Sequence, residues 1–310
     1  METLFLNDET RLAGHSCATI GFFDGVHRGH QFLIGQLQKL AMERGERTMV
    51  ITFEHHPRQV VCPDWQPLLL TTVEEKQRLL SEAGVDVLVV LRFDAAMAAL
   101  SAREFMGRVL KDRLNVSTLL TGYDNRFGRG RTEGFDDYVA YGHEIGIDVV
   151  RAEALSMNET TVSSSRIRQL IADGRVEMAA DCLGRCYELS GRVVHGEQIG
   201  RRMGFPTANI VPDNGQKLIP ADGVYAVKVA TDDIETAGMM NIGTRPTFDG
   251  RERTLEVHLL DFAGDLYDHR LRVIFVARLR EELTFASVEA LRQQMETDAQ
   301  STRKLLEGKI

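Results

Sequence analysis

A mostly apolar run covers residues 17–22. From Gly29 onward apolar residues recur at helical spacing, at Phe32, Leu33, Leu37, Leu40 and Ala41, until Gly45. The first pattern predicts a short strand, and the second a helix that begins where the strand ends. The same alternation repeats through the first half of the chain. Residues 47–53 and 85–91 read as strands, and between them Thr72-Val73-Glu74-Glu75 forms a capping box that opens a helix ending before Gly84. Ser101-Ala102-Arg103-Glu104 repeats the box ahead of a helix reaching Leu114. Residues 116–121 are the next strand, and a loop rich in Gly and Arg leads to a helix over residues 135–144. Such β-α units predict a parallel, doubly wound, Rossmann-like α/β sheet whose ligands bind beyond the carboxyl ends of the strands.

After Gly184 the pattern changes. Strand-like runs occupy residues 189–194, 224–230, 237–242, 254–260 and 271–277, separated by clusters of Gly, Pro, Asn and Asp with no long helix between them. This predicts an antiparallel β-barrel. A C-terminal helix closes the chain, with Ser287 as N-cap, Glu289 in the first turn, and Val288, Leu291, Met295 and Leu306 on its apolar side. The change of pattern sets a boundary between residues 1–184 and 185–310.

The chain of 310 residues is long enough for two cores, and its 43% hydrophobic and 26% charged residues are those of a globular protein. A formal charge of −8 argues against a non-specific nucleic-acid or acidic-membrane binder. Any phosphate ligand must therefore be met by local charge. The apolar run at 85–91 is too short to span a bilayer, and a cytoplasmic location is expected. Cys17, Cys62, Cys182 and Cys186 show no metal-ligand framework and read as reduced packing residues.

The chemistry concentrates first at Thr19-Ile20-Gly21-Phe22-Phe23-Asp24-Gly25-Val26-His27-Arg28-Gly29-His30, where the first strand turns into its helix. A helix N-terminus presents unpaired N–H groups to an anion. Gly21, Gly25 and Gly29 let backbone approach a ligand. His27 and His30, three positions apart, are placed to donate to a triphosphate. A surface turn or a His-x-x-His metal pair would carry the same two histidines.

The full pattern resembles the nucleotidyltransferases with a His-x-Gly-His signature, and most of all the bacterial bifunctional riboflavin kinase/FMN adenylyltransferases. That resemblance implies ATP binding by Gly21, Phe22, Phe23, Gly25, His27 and His30, the last two acting catalytically. It extends to Ser163-Ser164-Ser165-Arg166, whose hydroxyls and guanidinium would meet β- and γ-phosphates; a serine N-cap is the plain alternative. It also extends to Asp124-Asn125-Arg126 as flavin contacts, in a loop whose arginines suit a flavin phosphate or simple solvation equally well.

In the second half, Gly204-Phe205-Pro206-Thr207-Ala208-Asn209 places two neutral oxygen-bearing side chains on one face of an extended segment. By itself this is a turn followed by a strand. It resembles the Pro-Thr-Ala-Asn motif of riboflavin kinases, in which Thr207 and Asn209 would hold Mg2+ with ATP. Gly191, His195, Gly200, Gly204 and Pro206 would complete that ATP site. Glu256 alternates with Leu255 and Val257; spacing alone leaves it a solvent-facing carboxylate or a general base, and the resemblance favours the base. The implied substrates are riboflavin, FMN and ATP, with FMN and FAD as products. An adenylyltransferase for another phosphate ester would share the first motif but would give no reason for Thr207, Asn209 and Glu256.

Overall fold

Glu2–Phe5 (β1), Ser16–Ile20 (β2), Arg47–Phe53 (β3), Val87–Leu91 (β4), Val116–Thr121 (β5) and Asp148–Arg151 (β6) form one parallel sheet in the order β1-β4-β3-β2-β5-β6. This computed structural model describes residues 1–7, 9–62, 64–122, 125–155, 162–196, 204–231, 234–247 and 250–308. The chain divides into two compact units, Met1–Ser163 and Ser164–Ile310.

Every residue of β2 and β4 is buried, as expected of central parallel strands covered on both faces. Alternate side chains feed two cores. Ala18, Ile20, Met49 and Ile51 face one side, while Cys17, Val50 and Leu88 face the other beneath Ile34 and Leu37 of the helix Arg28–Arg44. β1 and β6 were not predicted. They are the edge strands and only half-buried, so neither carries an unbroken apolar run.

Thr72 and Ser101 each cap a helix in a reciprocal box with Glu75 and Glu104. The helix after Ser101 departs from expectation: beyond Ala102–Phe105 it widens into a π-helix at Met106–Lys111, which buries Met106, Val109 and Leu110 together. Because β2 lies between β3 and β5, the chain winds one way from β2 and later returns on its other side. The crevice beyond the carboxyl ends of β2 and β5 is the switch point where such sheets bind ligands.

The second unit opens with two helices, Ser164–Ala172 and Val176–Leu183, ahead of the barrel. Its barrel strands are Tyr187–Val194 (β7), Ala208–Pro212 (β8), Gly223–Ala230 (β9), Glu235–Thr247 (β10), Gly250–Leu259 (β11) and Arg270–Arg280 (β12), closed in the order β10-β11-β8-β7-β12-β9. β8 adds to the five predicted strands. Closure pairs every strand on both sides and leaves no edge.

The two leading helices belong with this barrel. The Ala221 amide donates to the Ile171 carbonyl at 3.2 Å, and Glu177 Oε1 accepts from the Arg278 amide at 3.1 Å. Helical periodicity alone reads as a continuation of the α/β half, and only these contacts assign the helices. The C-terminal helix Val288–Leu306 starts at Ser287, packs Ala299 against Met239 and Leu260, and is pinned by Arg280 Nε donating to Asp298 at 3.0 Å.

Candidate active sites

The loop between β2 and the helix Arg28–Arg44 has an unusual backbone. Positive φ occurs at Gly25 (81°), as expected, but also at Phe23 (53°) and Val26 (39°), whose side chains are almost wholly buried. Side chains with a Cβ take this region only where packing compensates, and such strain concentrates at functional sites. Gly21 and Gly29 serve by their lack of bulk. A Cβ on Gly21 would lie 3.1 Å from the Phe23 ring, and one on Gly29 would lie 3.1 Å from the His27 ring. Asp24 locks the loop from below, accepting from the Leu70 and Thr71 amides, each at 3.0 Å, while the Gly25 amide donates to the Thr71 hydroxyl at 3.0 Å.

The two imidazoles come together as predicted, but stacked. Their ring centroids are 3.7 Å apart with planes 17° from parallel. His27 is buried and caps the helix, its Nδ1 accepting from the His30 amide at 3.4 Å. With Nδ1 accepting, the ring proton sits on Nε2. Burial, then the neighbouring His27 and Lys76, hold the His30 pKa well below its ordinary value, so this ring is neutral at pH 7. His30 Nδ1 is buried without a hydrogen-bond partner. Lys76, which belongs to no motif in the sequence, lies in the same neighbourhood, with Nζ 4.1 Å from the centroid of the Phe22 ring.

After β5, the Asn125 carboxamide donates to the Ile20 carbonyl and ties the carboxyl ends of β5 and β2 together. Arg126 is exposed; Asp124 lies outside the described residues. Beside them Ile20, Phe53, Phe93, Met97, Phe105 and Phe127 line a small apolar cavity of about 50 Å3. Ser163 ends the first unit; the Val162 carbonyl just before it stands 3.7 Å from a Cβ built on Gly29. Ser164, Ser165 and Arg166 start the helix Ser164–Ala172 of the second unit, with Ser165 and Arg166 exposed.

The barrel site is assembled by strand register. Leu255 and Val257 of β11 are buried, while Thr254, Glu256 and His258 alternate onto the wall of a cavity of about 340 Å3. Glu256 stands opposite Asn241 of β10 and Asn209 of β8. The Thr207 hydroxyl donates to Glu256 Oε2 at 3.3 Å. Thr207 also lines a second cavity, of about 570 Å3, together with Pro206, Ala208, Phe262, Leu266 and Tyr267. Thr207 therefore marks where the two cavities meet, with the Glu256 carboxylate beside it.

His195 stacks on Tyr267 at 3.9 Å. His258 fixes the turn through Nδ1, 2.7 Å from the Pro206 carbonyl. Burial lowers the pKa of His258, so its neutral Nδ1–H form donates there.

The glycines of this half act differently from one another. Gly191 is buried in β7, where a Cβ would meet the Val211 carbonyl at 2.4 Å, so its place in the motif has a packing reason. Gly204 takes φ 83° ahead of Pro206. Gly196 leaves room for the Asn209 carboxamide, 2.1 Å from where its Cβ would be. Gly200 lies outside the described residues. Among the described residues no group of three or more His, Cys, Asp or Glu is placed to hold a metal ion. The neutral oxygens of Thr207 and Asn209 instead suit Mg2+ that keeps phosphates and water as its other ligands.

A glycine-bearing loop at the switch point of one unit and a carboxylate between two cavities in the other are two candidate centres of a nucleotide-dependent transferase. A family model described as FAD synthetase matches residues 10–166, and one described as riboflavin kinase matches residues 183–306. A bifunctional riboflavin kinase/FMN adenylyltransferase of Escherichia coli K12 is 42% identical over 92% of this chain and 91% of its own length. That of Pseudomonas fluorescens is 41% identical over 93% and 92%. A crystal structure described as a macrolide-efflux protein from Streptococcus pneumoniae matches with a TM-score of 0.91 at 32% identity, over 98% of this chain and 99% of that one. The chain belongs to the bifunctional riboflavin kinase/FMN adenylyltransferase family. It phosphorylates riboflavin to FMN with ATP and adenylylates FMN to FAD with a second ATP, releasing pyrophosphate.

Proposed function

We propose that the unit Met1–Ser163 carries adenylyl transfer and the unit Ser164–Ile310 carries riboflavin phosphorylation, the helices 164–183 packing with the barrel rather than ending the first part as the expected boundary after Gly184 had it, with the residue roles that follow. In the barrel, Glu256 is the general base that takes the proton of the ribityl hydroxyl as it attacks the γ-phosphate of ATP. Thr207 and Asn209 hold Mg2+ with the nucleotide, and the ion, when bound, neutralises phosphate charge. Pro206 and Tyr267, on which His195 stacks, line the nucleotide side, and Asn241 and Glu282 line the flavin side of the junction. The observation that carries this reading is the 3.3 Å contact of Thr207 with Glu256 where the two cavities meet. It supports a hydroxyl from one cavity meeting a phosphoryl group from the other.

In the first unit the FMN phosphate is already a nucleophile, so no base is required. The loop Gly21-Phe22-Phe23-Asp24-Gly25, the amides at the helix start and the His27 Nε2–H align ATP and stabilise the charge that develops on pyrophosphate. Neutral His30 supports His27 by stacking. Asn125 and Arg126 border the flavin side, beside the apolar side chains of Phe53 and Phe127. A cytoplasmic location for both activities is part of this proposal.

Glu256→Gln in the full chain tests the assignment. Gln keeps the size of Glu but cannot accept a proton, so FMN formation from riboflavin should fall on the order of a hundredfold or more. Supplied FMN should still become FAD at the wild-type rate. Near-normal FMN formation, read by chromatography of the flavins, would return Glu256 to a structural role.

A further inference from the structure

Lys76, on the helix Val73–Glu82, is only 3% exposed, and neither reaction above uses it. Its Nζ donates to the Thr52 hydroxyl at 3.3 Å and lies over the face of Phe22. Thr52 in turn donates to the Phe22 carbonyl at 3.0 Å. The ammonium is thus clamped directly behind the first turn of the loop that begins at Gly21. An ammonium with one hydroxyl and one ring face for company is poorly solvated for its charge.

The charged and titratable groups around it come from three elements. Asp24 of the loop is the nearby carboxylate, and its oxygens are engaged by the Leu70 and Thr71 amides. Glu75, the neighbour on its own helix, turns its carboxylate to the Thr72 amide. His30 of the helix Arg28–Arg44 is held neutral. Arg28, at the start of that helix, is exposed and screened by solvent. In a chain of net charge −8, the charge that meets a polyphosphate at this loop has to be local. Burial pushes the Lys76 pKa down to about 8, with Asp24 acting in the opposite direction, so the group is poised to respond to an arriving anion.

We propose that Lys76 is a positioning residue for the polyphosphate of ATP in adenylyl transfer, supplying positive charge from behind Phe22. This rests on the assignment of the Gly21 to His30 loop to ATP, which the double histidine variant described below tests on its own. Lys76 reaches the substrate through the field and the shape of the loop, since the Phe22 ring covers its ammonium.

The test is the pH dependence of KM for ATP in the conversion of supplied FMN to FAD, a readout that excludes the kinase centre. In the wild type KM should be flat near pH 7 and rise above pH 8, by up to about tenfold per pH unit. Phosphate second ionisations, near pH 6, are complete by then. Lys76→Met should show a KM raised on the order of tenfold at pH 7, with no further rise to pH 9, and a smaller change in kcat. Lys76→Arg keeps the charge but does not titrate, so it should hold a low KM across the range. A wild-type KM that stays flat from pH 7 to 9 overturns the proposal, as does an unchanged KM and slope in folded Lys76→Met or an unchanged slope in Lys76→Arg. If either variant fails to fold, the wild-type profile decides.

Discussion

The two units solve one problem, holding ATP beside a flavin, by opposite means. In the first, the candidate site is ten consecutive positions from Gly21 to His30, at the turn from β2 into the helix Arg28–Arg44. In the second, the candidate groups lie on different strands. Asn209, Asn241 and Glu256 stand side by side only because β8, β10 and β11 pair in one register. The loop site depends on backbone strain at Phe23 and Val26 and on missing side chains at Gly21 and Gly29. The barrel site depends on alternation, which puts Leu255 and Val257 inside and Glu256 and His258 on the cavity wall. A site made by a turn is sensitive to local conformation; one made by register is sensitive to anything that shifts strands.

Cutting the chain gives the largest contrast. A fragment of residues 164–310 should make FMN and no FAD. Removing residues 164–184 as well strips away the buried Ile167, Leu170, Ile171, Val176 and Leu183. Each such side chain is worth roughly 1.5–3 kcal/mol when fully buried. Residues 185–310 alone should therefore unfold at a much lower denaturant concentration than 164–310. Equal midpoints in urea would show that the barrel does not need those helices.

Next in size is the double replacement His27→Ala with His30→Ala. Loss of an electrostatic donor from a transfer site costs roughly a hundredfold to a thousandfold in kcat. FAD formation from FMN should fall by that order while riboflavin phosphorylation continues. The variant should also lose about 1 kcal/mol of stability in the first unit, because His27 caps its helix. FAD synthesis at the wild-type rate in the folded double variant would remove the histidines from the mechanism.

The smallest effect sharpens the barrel side of the comparison. Gly196→Ala places a methyl group where the Asn209 carboxamide lies, so Asn209 must turn away. KM for ATP in the kinase reaction should rise several-fold, on the order of 1 kcal/mol of binding, with FMN adenylylation unaffected. An unchanged kinase KM would mean that Asn209 has room to spare.

Much of this was legible in the linear chain. The capping boxes at Thr72 and Ser101, the central strands, the barrel with its closing helix and the glycine-bearing turn from β2 into its helix all follow from patterns that act within a few residues. Caps, turns and apolar periodicity are short-range physics, so a sequence displays them directly. The edge strands β1 and β6 escaped because half-burial leaves no apolar run. Tertiary packing decided three further matters. It assigned the helices Ser164–Ala172 and Val176–Leu183 to the barrel unit, through contacts such as Glu177 with the Arg278 amide. It stacked His27 on His30, kept the latter neutral, and buried Lys76 behind them, because desolvation is a property of surroundings assembled from β2, β3 and two helices. It also brought Thr207 to Glu256 across 49 positions of sequence, since strand register is set by the closure of a whole barrel and by no local pattern.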